Sequence, residues 1–107
     1  MLATATIATD TLARIGRALA DTTRRRLLLE LLNGPRSSGE LAVSVDGSPS
    51  STSNHLTCLR ECGLVVAHPD GRRVLYQLAN EELSEALRGL ATIDLAATCD
   101  CHREVTP

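Results

Sequence analysis

Two cysteines one helical turn apart, Cys58 and Cys62 in His55-Leu-Thr-Cys58-Leu-Arg-Glu-Cys62-Gly63, are the residues of this chain best suited to chemistry. Side chains four apart on a helix share a face, so both sulfurs fall within the span of one thiophilic ion at bonds of ~2.3 Å. Thiolates with few other donors favour soft ions such as Cd(II), Pb(II), Zn(II) or As(III) over Mg(II) or Ca(II). The competing reading is a pair of small buried hydrophobes, a common fate of free cysteine. A second soft group near the C-terminus, Cys99-Asp100-Cys101-His102, moves the balance toward ligation. His102, beside a chain end, is read as solvated rather than ligating. Oxidation of the same thiols is the alternative chemistry, which would make the site a redox sensor.

At ~100° per helical residue, Thr52, His55, Leu56 and Leu59 form one arc of the cysteine helix. Ser50, Ser53, Asn54 and Thr57 form the opposing arc, and both thiols lie along the boundary. Short polar side chains of this kind, Ser51 included, suit base edges and phosphates in a DNA major groove. Arg72 and Arg73, at the tip of an expected hairpin, suit phosphates or a minor groove. Arg24, Arg25 and Arg26 read as a solvated helix face, His68 as exposed, and His55 as packed against the preceding helix.

The chain has 107 residues, no Trp, no Phe and one Tyr. That length is one domain with a thin core, built of Leu, Val, Ile and Ala between helices, and such domains gain core by dimerising. A formal net charge of -2 excludes a generic polyanion coat, whose affinity would come from overall positive charge. Any DNA contact must therefore be local and geometric. No apolar run approaches the ~20 residues of a membrane span, and no signal sequence opens the chain. The expectation is a cytoplasmic protein, in which four cysteines are ligands or redox thiols rather than disulfides. No Ser/His/Asp or Cys/His motif and no Gly-rich phosphate loop is present, so an enzyme is not expected.

Residues 1–9 read as a flexible N-terminus, 10–98 as the folded domain and 99–107 as a cysteine-containing tail. Leu12, Ile15 and Leu19 give a first helical stripe. Asp21 caps a second helix, carrying Leu27, Leu28, Leu31 and Leu32, which Gly34-Pro35 ends. Ser37-Ser38-Gly39-Glu40 has capping-box spacing and opens a short helix. Asp46-Gly47 turns the chain, and Ser48 with Pro49 starts the cysteine helix, which ends at Gly63. Leu64 to Leu78, broken at Pro69-Asp70-Gly71, alternates as a β-hairpin. Asn80, Glu81 and Glu82 open a last helix with Leu83, Leu87, Leu90 and Ile93 on one stripe. The fold class is mainly α with a small β-hairpin, a winged helix-turn-helix.

In this order the segments Arg17-Ala-Leu-Ala-Asp21-Thr-Thr-Arg24, Gly39-Glu-Leu-Ala42, Ser53-Asn-His-Leu56 and Leu59-Arg-Glu-Cys-Gly-Leu-Val65 resemble the ArsR/SmtB family of bacterial metal-responsive repressors. Asn54-His-Leu-Thr-Cys58-Leu-Arg-Glu-Cys62-Gly-Leu-Val-Val66 is most similar to its cadmium- and lead-sensing type. The resemblance implies a homodimer through the first and last helices that binds operator DNA as apoprotein. It also implies release by Cd(II) or Pb(II), with Zn(II) or As(III) as alternatives. A third thiolate from the C-terminal region of the partner protomer, here Cys99 or Cys101, would join Cys58 and Cys62. The family's other thiolate site is absent, since residues 40–44 hold no cysteine. Gly47 and Thr52 stand where the family usually has apolar residues. A module that binds no DNA is the reading from a different class, and a shift assay on a palindromic promoter fragment separates the two.

Overall fold

The computed structural model describes residues 2–96, with side chains from Thr9 onward. Five helices and a small sheet follow in the order α1 (Leu2–Ala20), α2 (Thr22–Leu31), β1 (Arg36–Ser37), α3 (Ser38–Ser44), α4 (Pro49–Glu61), β2 (Val65–Asp70), β3 (Arg73–Leu78) and α5 (Glu81–Ala91). Among the described residues no helix is long and apolar enough to cross a membrane.

Caps written into the sequence set most boundaries. The Asp21 carboxylate accepts from the Arg24 amide at 2.9 Å, Ser48 accepts from Ser51 at 3.1 Å and Asn80 from Leu83 at 2.9 Å. The Ser37–Glu40 capping box is complete in both directions. Each cap satisfies an amide that the first helical turn would otherwise leave without a partner.

Both sides of the helix-turn-helix close with the same C-terminal device. After α3 the Gly47 amide donates to the Ala42 carbonyl and the Asp46 amide to that of Val43. After α4 the Leu64 amide donates to Leu59 and the Gly63 amide to Arg60. These are Schellman motifs, which need a left-handed residue at the turn. Gly63, at φ 81°, supplies it after α4, and Asp46, at φ 55°, after α3. Leu59 and Leu64 are both buried, the apolar contact that accompanies such an ending.

Leu27, Leu28, Leu31, Leu41, Val45, Leu56, Leu59, Leu64, Val65, Leu78, Leu83 and Leu87 form one core joining α2 to α5 and the root of the hairpin. Thr52 lies in the same interior at 1% exposure, and its hydroxyl has no hydrogen-bond partner among the described residues. A Cβ on Gly47 would sit 3.2 Å from that hydroxyl, so glycine in the turn leaves room for Thr52.

The structure differs from the sequence reading in three places. The sheet has three strands, in the order β1-β3-β2, because Arg36 and Ser37 pair with Tyr76 and Leu75. A strand of two residues carries no periodicity to read. Helical backbone begins at Leu2, ahead of the Leu12–Ile15–Leu19 stripe, since Ala and Leu favour the helix without an apolar face to announce it. The alternation of β3 fades toward the tip: Leu78 is buried and Tyr76 half-buried, while Val74 is 43% exposed, because the hairpin projects beyond the core.

Gly63→Ala is expected to cost about 1–2 kcal/mol, the penalty of a left-handed alanine, with a matching fall in the thermal midpoint. Asp21→Ala is expected to lose about 1 kcal/mol at neutral pH through the missing cap. Its carboxyl is held below the ordinary 3.8 chiefly by the Arg24 amide, with His55 and Arg24 charges adding to it. Because the folded value is depressed, the stabilisation is complete above pH 3.8 and lost as pH falls through the folded value. The gap between wild type and Asp21→Ala in urea titrations should therefore shrink on acidification.

Candidate nucleic-acid interface and thiol pair

Helix α4 carries both candidate sites, and its rotation decides which side chains reach solvent. Thr52, Leu56 and Leu59 are buried at 1%, 0% and 1% exposure. Ser50, Ser51, Ser53, Asn54 and Thr57 are therefore exposed. Thr57 donates its hydroxyl to the Ser53 carbonyl at 3.0 Å, which leaves that oxygen free only to accept. Among the described residues the exposed side chains of Ser50, Ser53 and Asn54 make no such bond. The face is uncharged as far as Arg60, in keeping with contact by hydrogen bonds rather than by bulk charge.

The thiols divide between two environments. Cys58 is exposed and Cys62, the C-cap of α4, half-buried. Their backbones are joined across the turn by the Cys62 amide donating to the Cys58 carbonyl at 3.0 Å. Cys62 opens onto a groove of about 360 Å³ between α1, the end of α4 and the start of α5, with Arg14, Ile15, Leu64 and Leu83 in its walls. Nothing in the sequence announced this groove, because its three walls are far apart along the chain. Among the described residues no cluster of three or more His, Cys, Asp or Glu converges on the pair or elsewhere. Both thiols are free and stand on adjacent turns, and any ion they shared would need further donors from outside the described residues. Cys99, Cys101 and His102 lie outside the described residues.

His55 links α4 to the N-terminus of α2, its Nδ1 standing 3.9 Å from the Asp21 carboxylate, with Arg24 Nε 3.8 Å from the same oxygen. One capping carboxylate therefore faces a histidine of α4 and an arginine of its own helix. His68 is exposed, as are Arg25 and Arg26, whereas Arg24 is half-buried against Asp21.

The structure separates the two wing arginines. Arg72 is exposed and forms no ion pair among the described residues. Arg73 stands 3.8 Å from the Glu40 carboxylate and 3.6 Å from that of Asp70. Sequence reasoning treated the pair as equivalent because adjacency in a turn says nothing of what lies across it.

Residues 21–66, from the cap of α2 to the root of the wing, match the family described as bacterial regulatory protein, arsR family. The chain is 52% identical over 89 residues to the HTH-type transcriptional regulator CmtR of Mycobacterium tuberculosis, covering 83% of this chain and 75% of the relative. It is 41% identical over 95 residues to a probable mercury resistance operon repressor of Streptomyces lividans, covering 86% and 75%. The solution structure of the cadmium metal-sensor CMTR from Mycobacterium tuberculosis superposes with a TM-score of 0.67 at 51% identity, over 82% of this chain and 92% of that one. A homodimeric winged helix-turn-helix DNA-binding domain from Mycobacterium bovis, a possible ArsR-family regulator, superposes at 0.74 with 29% identity, over 80% of each chain. With a leucine-seated α4, a polar outer face, a three-stranded wing and these relatives, the chain is a winged helix-turn-helix transcriptional regulator and belongs to the ArsR family.

Proposed function

We propose that this regulator is a homodimeric, cytoplasmic repressor that holds operator DNA as the apoprotein and releases it when a thiophilic metal ion is captured. Ser50, Ser51, Ser53, Asn54 and Thr57 of α4 enter the major groove, and Arg72 at the wing tip meets phosphate. Cys58 and Cys62 anchor the ion. Cys99, Cys101 or both, from the partner protomer, complete a site of three or four ligands. Cd(II) or Pb(II) is the favoured inducer, Zn(II) or As(III) the alternative.

The observation that carries this reading is that the polar face and the thiol pair share one helix whose rotation the core fixes. A ligand drawn to one flank of α4 acts on the rigid body that presents the other. The names of two relatives, a cadmium metal-sensor and a probable mercury resistance repressor, support a soft-metal inducer. Capture of a soft ion requires both thiols to lose their protons, so induction weakens as pH falls. For induction, metal and operator must disfavour each other by about 1–3 kcal/mol, or roughly 5–150-fold in affinity.

Dimerisation is supported by what the protomer leaves uncovered. Leu12, Leu90, Ile93 and Leu95 are 67%, 53%, 55% and 77% exposed, and Leu90 borders a shallow apolar groove with Leu19, Leu29 and Leu87. An apolar face of this kind on α1, α5 and the residues just after α5 suits a second copy. Such pairing spaces two copies of α4 for successive turns of a duplex.

Asn54→Ala is expected to weaken operator binding by about 1–3 kcal/mol while leaving the unfolding midpoint and metal affinity in place. Unchanged operator affinity would move the reading face off this side of α4. Titrating the DNA-bound apoprotein under anaerobic conditions with Cd(II), Pb(II), Zn(II) and As(III) ranks the inducers by DNA release and by sulfur-to-metal absorption. Cys58→Ser and Cys62→Ser should each repress yet resist induction, because a hydroxyl is a poor ligand for soft ions. Removal of residues 99–107 should leave a DNA-binding dimer that no longer responds. Normal cadmium sensitivity in either serine variant would refute the anchor.

A further inference from the structure

The wing is rooted in the core at Val65 and Leu78, and its outer half projects from the body of the protein. Its tip, Asp70 to Arg73, lies beyond the core, and Val74 beside it is 43% exposed. On its β3 side the hairpin is hydrogen-bonded only to the two residues of β1, Arg36 with Tyr76 and Ser37 with Leu75. Ser37 is also the N-cap of α3, the first helix of the helix-turn-helix. Beyond the buried root at Val65 and Leu78, the wing therefore meets the start of α3 at Ser37, and beside that residue a side-chain contact reinforces the join.

The contact is made by Glu40. Its Oε1 accepts from the Ser37 amide at 2.8 Å, and the same oxygen lies 3.8 Å from Arg73 Nη1. From the other side Arg73 Nε lies 3.6 Å from Asp70 Oδ2, its partner in the last rung of the hairpin. Arg73 is thus a cation between two carboxylates, and the three groups together carry a net negative charge. A DNA phosphate approaching Arg73 would have to displace one carboxylate and tolerate the other. Arg72, in the turn ahead of β3, is exposed and forms no ion pair among the described residues. The Glu40 carboxyl is held below its ordinary range by the Ser37 amide and hydroxyl, with Arg73 and Arg36 adding to it, so the anion persists wherever DNA binding is measured.

We propose that Arg73 is a positioning residue, strapping the wing to the N-terminus of α3 through Glu40, and that Arg72 alone is the wing's phosphate contact. The proposal rests on the DNA-binding reading of the preceding subsection for its effect on affinity, though not for the strap itself. Exposed ion pairs of this length are individually weak and screened by salt. Their leverage is geometric, because they act on the exposed outer half of a hairpin that is buried only at its root. The strap selects among wing orientations that already lie close in energy, and a few-fold change in population is within its reach.

The test uses the full chain, a duplex that the wild-type protein selects from a randomised pool, and binding isotherms over a range of salt. Arg72→Ala should flatten the dependence of log affinity on log salt by about one unit. Arg73→Ala should lower affinity about 3- to 10-fold with the slope unchanged. Glu40→Gln keeps the cap, because the amide oxygen still accepts from Ser37, but removes the charge. It should lower affinity by the same factor as Arg73→Ala, and the double variant should be no worse than either single one. Arg73→Lys should recover part of the loss. In the free protein, ¹⁵N relaxation at the Gly71 amide should show a more mobile wing tip in Glu40→Gln and Arg73→Ala but not in Arg72→Ala, with unfolding midpoints equal. A tighter-binding Glu40→Gln together with a flattened slope in Arg73→Ala would overturn the proposal and make Arg73 the phosphate contact, with Glu40 its competitor. Additive losses, or a Gly71 amide indifferent to Glu40, would overturn it equally. A chain that selects no duplex would refute the DNA-binding reading, and the relaxation measurement would still decide the strap.

Discussion

The seating of Leu56 and Leu59 in the leucine core is the constraint on which the rest of this structure depends. Both side chains are almost wholly buried, and a helix pinned at two positions three residues apart has no freedom to roll. At ~100° per residue, every other side chain of α4 is assigned its direction once those two are placed. Ser50, Ser53, Asn54 and Thr57 go outward, Cys58 stays in solvent, and Cys62 comes to lie at the edge of the interior. The burial that stabilises the domain, at ~25 cal/mol per Å² of apolar surface, is also what aims its chemistry. No charged side chain enters the core, and Thr52 is the only buried polar residue among those described. Specificity in the interior is therefore steric, expressed in the fit of Thr52 against a turn glycine.

Around this seating the chain uses short, local hydrogen bonds where a larger protein would use more core. Asp21, Ser37, Ser48 and Asn80 each close a helix start, and Schellman endings close α3 and α4. Two carboxylates at these helix starts serve twice. Asp21 caps α2 and faces His55 of α4. Glu40 completes the capping box of α3 and faces Arg73 of the wing. In a chain of 107 residues with one tyrosine as its only Phe, Tyr or Trp, anchoring α4 and the wing through capping carboxylates ties both to backbone that is already rigid.

The two proposed ligands of this regulator, DNA and a soft ion, meet on a single rigid helix rather than at opposite ends of a relay. A repressor of this design needs no long pathway through the core. The thiol-bearing end of α4 opens onto a groove shared with α1 and α5, the helices whose uncovered leucines suit a partner protomer. In the proposed dimer, a change of contacts at that end would act on the spacing of the two copies of α4 as well as on α4 itself.

The sequence by itself determined the elements and their order. Caps, Gly and Pro stops and leucine spacing are local signals, and hydrogen bonds spanning three or four residues do not depend on what lies far along the chain. Asp21, the Ser37–Glu40 box, Ser48-Pro49 and Gly63 were legible for that reason, as was the rotation of α4, since helical period and leucine burial suffice to orient it. Tertiary structure alone decided the rest. It paired Arg36 and Ser37 with β3, turned Arg73 toward Glu40 while leaving Arg72 free, set His55 beside Asp21 and opened the groove beside Cys62. Each of these joins residues distant in sequence or discriminates between neighbours of the same type. Such choices depend on loop closure and on the packing of whole elements, to which no short spacing in the chain corresponds.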